Sequence, residues 1–319
     1  MGPRSTGKTF AWSYRCAVDF IQKGRRFIWM RQTQEDIKRI YSTWHANIVS
    51  KSIFNGHKFE VDEHSIRIDG ETAGIFIPAS LAKKYKSVAF PDVDYIVYDE
   101  FLPENLRYLG GEKNPMFEPD SVVNLLQTVS RAPGMPYRPC RLILLANKIS
   151  LVNPYFTYFG IDSLVHPGMK KLEAHGVYLE LFENEGIVNE VMKSPLGEVL
   201  AHSPMAAYHR DEAYMMDSDA FIVERPKTGG AYIGNLIYQG TAYAVWQYSE
   251  RGYYLITTKG IDKCRTNIAM TGEDHNTNYI MITAYKDFFK RLKNSYANSA
   301  IRFEDQRSKK FFESVVVGL

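Results

Sequence analysis

The sequence begins with a complete phosphate-binding loop. Residues 2–9 read GPRSTGKT, which satisfies the pattern G-x-x-x-x-G-K-[S/T] in full. In this pattern the glycines let backbone N–H groups turn toward phosphate oxygens, the lysine adds a positive charge, and the final hydroxyl binds Mg²⁺. A helix that starts there directs its positive end at the same phosphates. We therefore expect ATP to contact Gly2, Arg4, Ser5, Thr6, Gly7, Lys8 and Thr9, with Thr9 also a ligand of Mg²⁺.

The position of this loop is unusual, because a phosphate-binding loop normally follows a buried strand and here Met1 alone precedes it. We expect that the start is truncated or that Met1 is an internal methionine of the natural gene. The loop from Gly2 to Ser5 would then lack an anchor, and ordering it would lower the ATP affinity. Extension by about 20–25 upstream residues, one strand with its lead-in, is expected to improve ATP binding and hydrolysis.

Composition restricts the class of protein. The 319 residues are 45% hydrophobic, which is enough for one large or two ordinary globular domains. Three distant cysteines, and histidines without metal-binding spacing, argue against a disulfide framework or a zinc site and fit a reducing cytosol. No apolar run is long enough to span a membrane and no signal peptide is visible. We expect a soluble, intracellular protein.

Strands and helices alternate through the first half, which predicts an α/β fold with a parallel sheet and flanking helices. The apolar runs Arg26–Arg31, Tyr95–Tyr98 and Leu142–Ala146 are its expected buried strands, and Asp120 is expected to cap a helix that runs to Arg131. After about residue 196 the periodicity changes. We expect a P-loop ATPase domain at residues 1–197, a helical linker at 198–220 and a smaller domain of alternating strands at 221–319.

Two carboxylates follow the strand at Tyr95–Tyr98. Because a parallel strand ends at the ligand-binding edge of its sheet, Asp99 is expected to lie beside the loop and hold Mg²⁺. Glu100 is then placed to accept a proton from an attacking water. The pair could instead be a solvated acidic loop after a core strand. The intact phosphate-binding loop upstream favours the catalytic interpretation.

Polar residues also mark the next strand and the helix before it. Asn147 ends the run Leu142–Ala146, where a polar side chain would sense the γ-phosphate, although asparagine is also a common turn residue. Arg131 ends the preceding helix. From the sequence alone, an arginine there is explained by the helix dipole.

Three lysines surround an aromatic residue in Lys83-Lys84-Tyr85-Lys86. They lie about ten residues before Tyr95, so we expect them at the amino-terminal edge of that strand, opposite the nucleotide. That position would suit a polyanion in a pore. A solvated loop is an equally good explanation of the pattern.

Several motifs together resemble the DNA-packaging ATPases of phi29-like podoviruses: the P-loop, VYDEF at 97–101, LAN at 145–147 and VNPYF at 152–156. The resemblance implies an additional-strand (ASCE) P-loop domain followed by an RNase H-like domain without nuclease activity. By this likeness Lys8, Thr9, Asp99 and Glu100 keep their nucleotide and catalytic roles. Arg131 matches the arginine finger that acts in trans, and Lys86 matches the DNA-gripping loop, with Lys83 and Lys84 beside it.

The resemblance also implies an assembly. It predicts a homo-oligomeric ring, a pentamer, that uses ATP and Mg²⁺ to pump double-stranded viral DNA into a procapsid. The ring would work in the host cell cytoplasm and bind the portal transiently, with prohead RNA as a further partner.

The second domain is basic. From Phe221 onward there are 14 Lys/Arg against 9 Asp/Glu, while residues 1–220 carry 25 against 27. The first strand of this domain carries no acidic residue, so two-metal cleavage is not expected and binding of DNA or prohead RNA is favoured. Two other functions stay open at this point: a small-molecule phosphotransferase, and a nucleic-acid-binding subunit with an impaired ATPase.

Overall fold

The computed structural model describes residues 1–3, 6–46, 48–86, 88–90, 92–105, 107–110, 116–131, 138–166, 168–182, 185–203, 214–215, 217, 219–261 and 266–317. The chain forms two compact units, Met1–Met216 and Asp217–Leu319. Their boundary lies inside the predicted linker at 198–220. The predicted domain end at residue 197, however, falls within a helix, Pro195–Ala201, that Ser194 caps with its side chain.

A six-stranded sheet forms the centre of the first unit. Its strands are β1 (Arg26–Arg31), β2 (Phe59–Val61), β3 (Ser65–Ile68), β4 (Glu71–Pro78), β5 (Val93–Asp99) and β6 (Arg141–Leu145). They lie in the order β2-β3-β4-β1-β5-β6. The strands β4, β1, β5 and β6 are parallel, and β2 and β3 are antiparallel additions at one edge. The predicted parallel sheet is confirmed.

Both faces of this sheet are buried, as expected for parallel strands with crossover helices. Phe27 and Trp29 of β1 pack into one apolar cluster, and Ile28 and Met30 pack into another. The described helices of the unit are α1 (Lys8–Lys23), α2 (Gln34–Ile40), α3 (Phe117–Val129), α4 (Pro154–Tyr158), α5 (Glu185–Met192) and α6 (Pro195–Ala201). A hairpin of β7 (Lys171–Ala174) and β8 (Val177–Glu180) completes it.

Helix α3 begins earlier than the sequence predicts. Its N-cap is Met116, without a side-chain hydrogen bond, so the prediction of Asp120 as the cap is wrong. Pro119 explains the difference, because proline has no N–H and therefore fits the first turn of a helix. Asp120 lies in that first turn, where a carboxylate still interacts favourably with the helix dipole.

The register of the parallel strands brings their carboxyl ends to one edge. Met30 pairs with Tyr98, and Asp99 pairs with Leu145. The residues that follow these positions therefore meet at the same edge, beside the start of α1. Ligands of open α/β sheets bind at this edge.

The second unit contains a mixed sheet. Its strands are β9 (Ala231–Tyr238), β10 (Thr241–Tyr248), β11 (Tyr253–Thr257), β12 (Asn267–Ala269), β13 (Ile280–Met281) and β14 (Ile301–Phe303), in the order β13-β12-β9-β10-β11-β14. The first three are an antiparallel meander, and β12 and β13 add to β9 in parallel. Helix α7 (Lys286–Ala297) lies between β13 and β14 in the chain, and helix α8 (Gln306–Phe311) follows β14.

Within the described part of the chain, no helix combines the length and the apolar character needed to cross a membrane.

Candidate nucleotide-binding site

The carboxyl edge of β5 and β6 and the start of α1 enclose a cavity of about 500 Å³. This volume lies within the usual range for pockets that bind small molecules and cofactors. Several residues that the sequence predicts as nucleotide ligands, metal ligands or the catalytic base line it: Thr6, Gly7, Lys8, Thr9, Asp99, Glu100 and Asn147. The structure therefore brings the phosphate-binding loop, the two carboxylates and the asparagine together. Arg4 and Ser5, also predicted to bind ATP, lie outside the described residues.

The phosphate-binding loop enters from a hydrogen-bonded position. The Gly2 N–H donates to the Ala146 carbonyl at 3.2 Å, the Met1 amino group donates to the Glu180 carbonyl at 2.6 Å, and the Phe182 N–H donates to the Met1 carbonyl at 3.0 Å. Met1 and Gly2 thus have partners on both sides, contrary to the expectation that the start lacks an anchor. Because its N–H serves Ala146, Gly2 positions the loop and does not offer that donor to a phosphate.

Glycine is required at both ends of the loop for different reasons. A Cβ added to Gly2 would lie 2.7 Å from the Phe182 ring, closer than carbon atoms can approach. Gly7 has a φ of 76°, in the left-handed region, and forms the N-cap of α1. The first glycine permits a close contact and the second permits the turn into the helix.

The Lys8 ammonium folds back over its own loop. It donates to the Gly2 carbonyl at 3.1 Å, to the Pro3 carbonyl and to the Thr6 hydroxyl at 3.2 Å. These three oxygens accept the hydrogen bonds that the Lys8 ammonium would otherwise donate to a phosphate. Phosphate oxygens would compete for the same ammonium, and they carry more negative charge than the carbonyls do.

Thr9 and Asp99 form the centre of the site. The Thr9 hydroxyl donates to the Asp99 carboxylate at 3.0 Å, joining α1 to the end of β5. Asp99 is only 3% exposed, and this burial raises the pKa of its carboxyl, with nearby Glu100 adding to the rise and Arg31 opposing it. A hydroxyl and a carboxylate at this separation are the hard oxygen donors that Mg²⁺ takes, so the residues present fit that ion.

Arg31 belongs to the site but was not identified from the sequence. Its guanidinium donates to Asp99 at 3.0 Å and to Glu100, and its side chain is largely buried. Arg31 is the last residue of β1, the neighbour of β5 in the sheet. The signal that could have found it is its position, because a charged residue that ends a buried parallel strand lies at the ligand edge.

The backbone of Glu100 is strained. Its φ is 58°, in the left-handed region that non-glycine residues seldom adopt. Such strain persists only where the surrounding structure holds it, and it is common at functional sites. The side chain is 57% exposed, so it projects from the strand end, unlike the buried Asp99 beside it.

Two further polar side chains line the cavity. Asn147, the predicted phosphate sensor, follows β6 and is half-buried. Glu104, in the loop after β5, was not singled out from the sequence. No local motif surrounds it, because the loop geometry alone brings it to the cavity.

Arg131 lies away from this cavity. The neighbouring Ser130 carbonyl accepts from the N–H of Arg138, whose guanidinium binds Asp94 at 2.6 Å. Asp94 is near the amino end of β5, five residues or about 17 Å from Asp99. Arg131 is exposed at that far edge of the sheet. It therefore lies at the edge opposite the nucleotide site of its own chain.

The predicted position of the lysine segment needs correction. Residues Ala79–Tyr85 form a 3₁₀ helix directly after β4, whose last residue pairs with Arg31 at the carboxyl edge. Lys83 binds Asp120 at 3.3 Å and lies over the Phe117 ring, in the first turn of α3. The segment thus starts at the nucleotide edge, not opposite to it. Lys84 and Lys86 are exposed, whereas Lys83 is engaged with α3.

The fold and the site together define a protein of the P-loop class, with the phosphate-binding loop and the acidic strand end in one cavity. The chain belongs to the podovirus DNA encapsidation protein (Gp16) family, whose sequence profile matches residues 1–316.

Individual relatives agree with this assignment. The chain is 29% identical over 311 residues to the DNA packaging protein of Bacillus phage B103, covering 96% of this chain and 92% of that protein. It is 28% identical to the DNA packaging protein of Bacillus phage phi29, covering 96% and 89%.

Solved structures show the same fold. One chain of the bacteriophage phi29 viral genome packaging motor assembly superposes with a TM-score of 0.73 at 25% identity, covering 98% of this chain and 94% of that one. A chain of the phi28 gp11 DNA packaging motor gives a TM-score of 0.62 at 16% identity, covering 100% and 93%. At that identity the second likeness shows the fold alone.

Proposed function

We propose that this chain is the ATPase subunit of a viral DNA packaging motor, which moves double-stranded DNA into a procapsid at the expense of ATP. The observation that carries the proposal is the Thr9–Asp99 hydrogen bond, which joins an intact phosphate-binding loop to an acidic strand end. The family and its relatives supply the packaging context. The procapsid portal, prohead RNA and a pentameric ring in the host cytoplasm are the remaining parts of this proposal.

The roles follow from the positions of the side chains. Lys8 binds the phosphates, and Thr9 and Asp99 hold Mg²⁺. The ion, when bound, neutralises negative charge on the phosphates. Glu100 accepts the proton of the attacking water, for which it must first leave the Arg31 guanidinium. Asn147, beside the phosphate-binding loop, distinguishes ATP from ADP through a hydrogen bond to the γ-phosphate.

A pair of matched glutamine variants tests the catalytic assignment. Glu100→Gln keeps the size of the side chain but cannot accept the proton, so we expect hydrolysis to fall by about 10²–10⁴-fold with Mg-ATP binding retained. Glu104→Gln removes a second carboxylate from the same cavity and should lower hydrolysis by less than about tenfold. Near-normal turnover in Glu100→Gln would remove that residue from the mechanism. Stimulation by nucleosides instead of long DNA would indicate a phosphotransferase.

Arg131 is proposed to act on the nucleotide of a neighbouring subunit, because it lies at the edge opposite its own site. Arginine fingers contribute about 10³–10⁵ in rate. Arg131→Ala should therefore abolish stimulated turnover, and mixing it with Glu100→Gln subunits should restore part of it, since some interfaces then combine an intact base with an intact finger. An equal loss in isolated monomers would refute action in trans.

The second unit is proposed to bind nucleic acid without cutting it. The side chains that join the adjacent parallel strands β9 and β12 are two amides, Asn235 and Asn267, linked by a 2.9 Å hydrogen bond. Two-metal cleavage would instead need carboxylates. In the exposed face of α7, Lys286, Lys290 and Arg291 offer contacts to phosphates. Affinity should fall steeply as salt rises, because such contacts release counterions. Replacing Lys8 disables the proposed ATPase site of the first unit. If the variant still cleaves DNA in the presence of Mn²⁺, this proposal is contradicted.

A further inference from the structure

Glu118 is a fully buried carboxylate that four separate parts of the first unit hold in place. Its exposure is 0%, and it lies in the first turn of α3. One oxygen accepts from the Tyr98 hydroxyl at 2.8 Å and the Tyr155 hydroxyl at 2.9 Å. The other accepts from the Leu109 N–H at 2.8 Å and the Gln32 side chain at 3.3 Å. A buried carboxylate with this many donors forms a rigid network whose geometry is tightly specified.

Two of the four donors are chain neighbours of the nucleotide site. Tyr98 precedes Asp99 on β5, and Gln32 follows Arg31 at the end of β1. The carboxylate therefore connects α3 to the ends of two adjacent strands, β1 and β5, whose charged residues bind each other beside the cavity. A shift of either strand end by even a few tenths of an ångström would strain the hydrogen bonds to Glu118.

The same helix carries two groups that the proposed function needs elsewhere. Its first turn holds Lys83 through Asp120 and Phe117, and Arg131 follows two residues after its end at Val129. A helix of 13 residues is about 20 Å long and moves largely as one body. Its two ends therefore lie near the nucleotide edge and the opposite edge of the sheet.

We propose that Glu118 is a positioning residue that couples the nucleotide site to α3. If nucleotide binding releases the Arg31 guanidinium from Asp99 and Glu100, the ends of β1 and β5 would shift, and Glu118 would pass the shift to α3. Helix α3 then moves the lysine segment and Arg131 together. This inference rests on the proposed packaging function. It assigns no contact between Glu118 and the nucleotide.

Two tyrosine variants test the coupling against a purely structural role. Tyr98→Phe and Tyr155→Phe each delete one hydroxyl that donates to the same oxygen of Glu118, so a structural role predicts similar losses of stability and activity. Only Tyr98 adjoins Asp99. We therefore expect Tyr98→Phe to lower the ratio of DNA-stimulated to basal turnover by about tenfold, within the usual range for coupling between sites, while Tyr155→Phe changes it less than about twofold.

Further measurements separate the possible failures. Melting temperatures of both variants establish that the protein is folded, and affinity for a non-hydrolysable ATP analogue should be unchanged in both. Glu118→Gln should reproduce the loss, and Tyr98→Phe added to it should cause no further loss. Equal ratios in the two tyrosine variants would overturn the coupling. If the unaltered protein shows no DNA-stimulated turnover, the proposed function itself fails.

Discussion

Replacing Arg31 by methionine is the most direct test of the charge balance at the site. Methionine has a similar length and no charge, so the change deletes both ion pairs and largely preserves the packing. The pair with Asp99 is buried, with side-chain exposures of 14% and 4%, whereas the Glu100 side chain is 57% exposed. The two pairs should therefore contribute unequally.

The magnitude follows from this difference. Removing one partner of a buried ion pair costs about 3–5 kcal/mol, and an exposed pair contributes about 0–1 kcal/mol. Burial already raises the pKa of Asp99, so protonation relieves part of the loss in the variant. We expect Arg31→Met to lower the free energy of unfolding of the first unit by about 3 kcal/mol.

Urea unfolding followed by tryptophan fluorescence measures this loss, because three of the four tryptophans, Trp12, Trp29 and Trp44, lie in the first unit. Adding Asp99→Asn removes the uncompensated charge and should restore most of the stability, which a double-mutant cycle quantifies. Without nucleotide, Mg²⁺ should stabilise Arg31→Met more than the unaltered protein, since the ion can replace the lost charge. An unchanged unfolding midpoint for Arg31→Met, or a further loss on adding Asp99→Asn, would refute the reasoning.

Two other changes have defined outcomes. Gly2→Ala places a Cβ 2.7 Å from the Phe182 ring, and such overpacking should lower the free energy of unfolding by about 1–3 kcal/mol. Calorimetry should show weaker ATP binding in this variant, and Phe182→Ala in the same chain should recover part of the affinity. Asp19 is buried, and although burial favours its neutral form, hydrogen bonds from Tyr95 and two basic side chains lower the pKa of its carboxyl. Its stabilising contribution is therefore present above about pH 4, the range of the unfolded pKa, and is lost as the pH falls through the lowered folded value. Denaturation curves of Asp19→Asn and the unaltered protein should differ at pH 7 and converge at low pH; a difference independent of pH would contradict this.

The sequence predicts the central fold because its signals are local. Each buried strand of the first sheet is a short apolar run, and the parallel arrangement follows from alternation with helices. The rule that parallel strands end at one edge then places Asp99 and Asn147 beside the phosphate-binding loop, where the structure has them. The short strands β12 and β14 were not predicted, because three residues carry too little periodicity to be recognised.

The residues that the sequence does not identify depend on contacts between distant segments. Arg31 meets Asp99 across 68 positions of the chain, and Glu118 meets Gln32 across 86. Arg31 ends a predicted strand, but the sequence does not say which strand lies beside it, and no local pattern surrounds Glu118. The sheet order brings these partners together. The predicted location of Lys83 was wrong for a related reason. Counting residues back from β5 ignored that the segment continues directly from the end of β4.

The remote position of Arg131 has a consequence for the number of complete active sites in an open or a closed row of subunits. If every site takes its arginine from one neighbour, an open row of subunits always contains one terminal site without an arginine. Closing the row supplies that last side chain, so every site becomes complete only at closure. Each subunit added to an open row would add one complete site, so turnover would rise gradually. One terminal site would always stay incomplete, however long the row becomes, and closure would complete it. The ATP turnover at a given site would thus differ between a subunit at the free end of a row and a subunit within a closed ring.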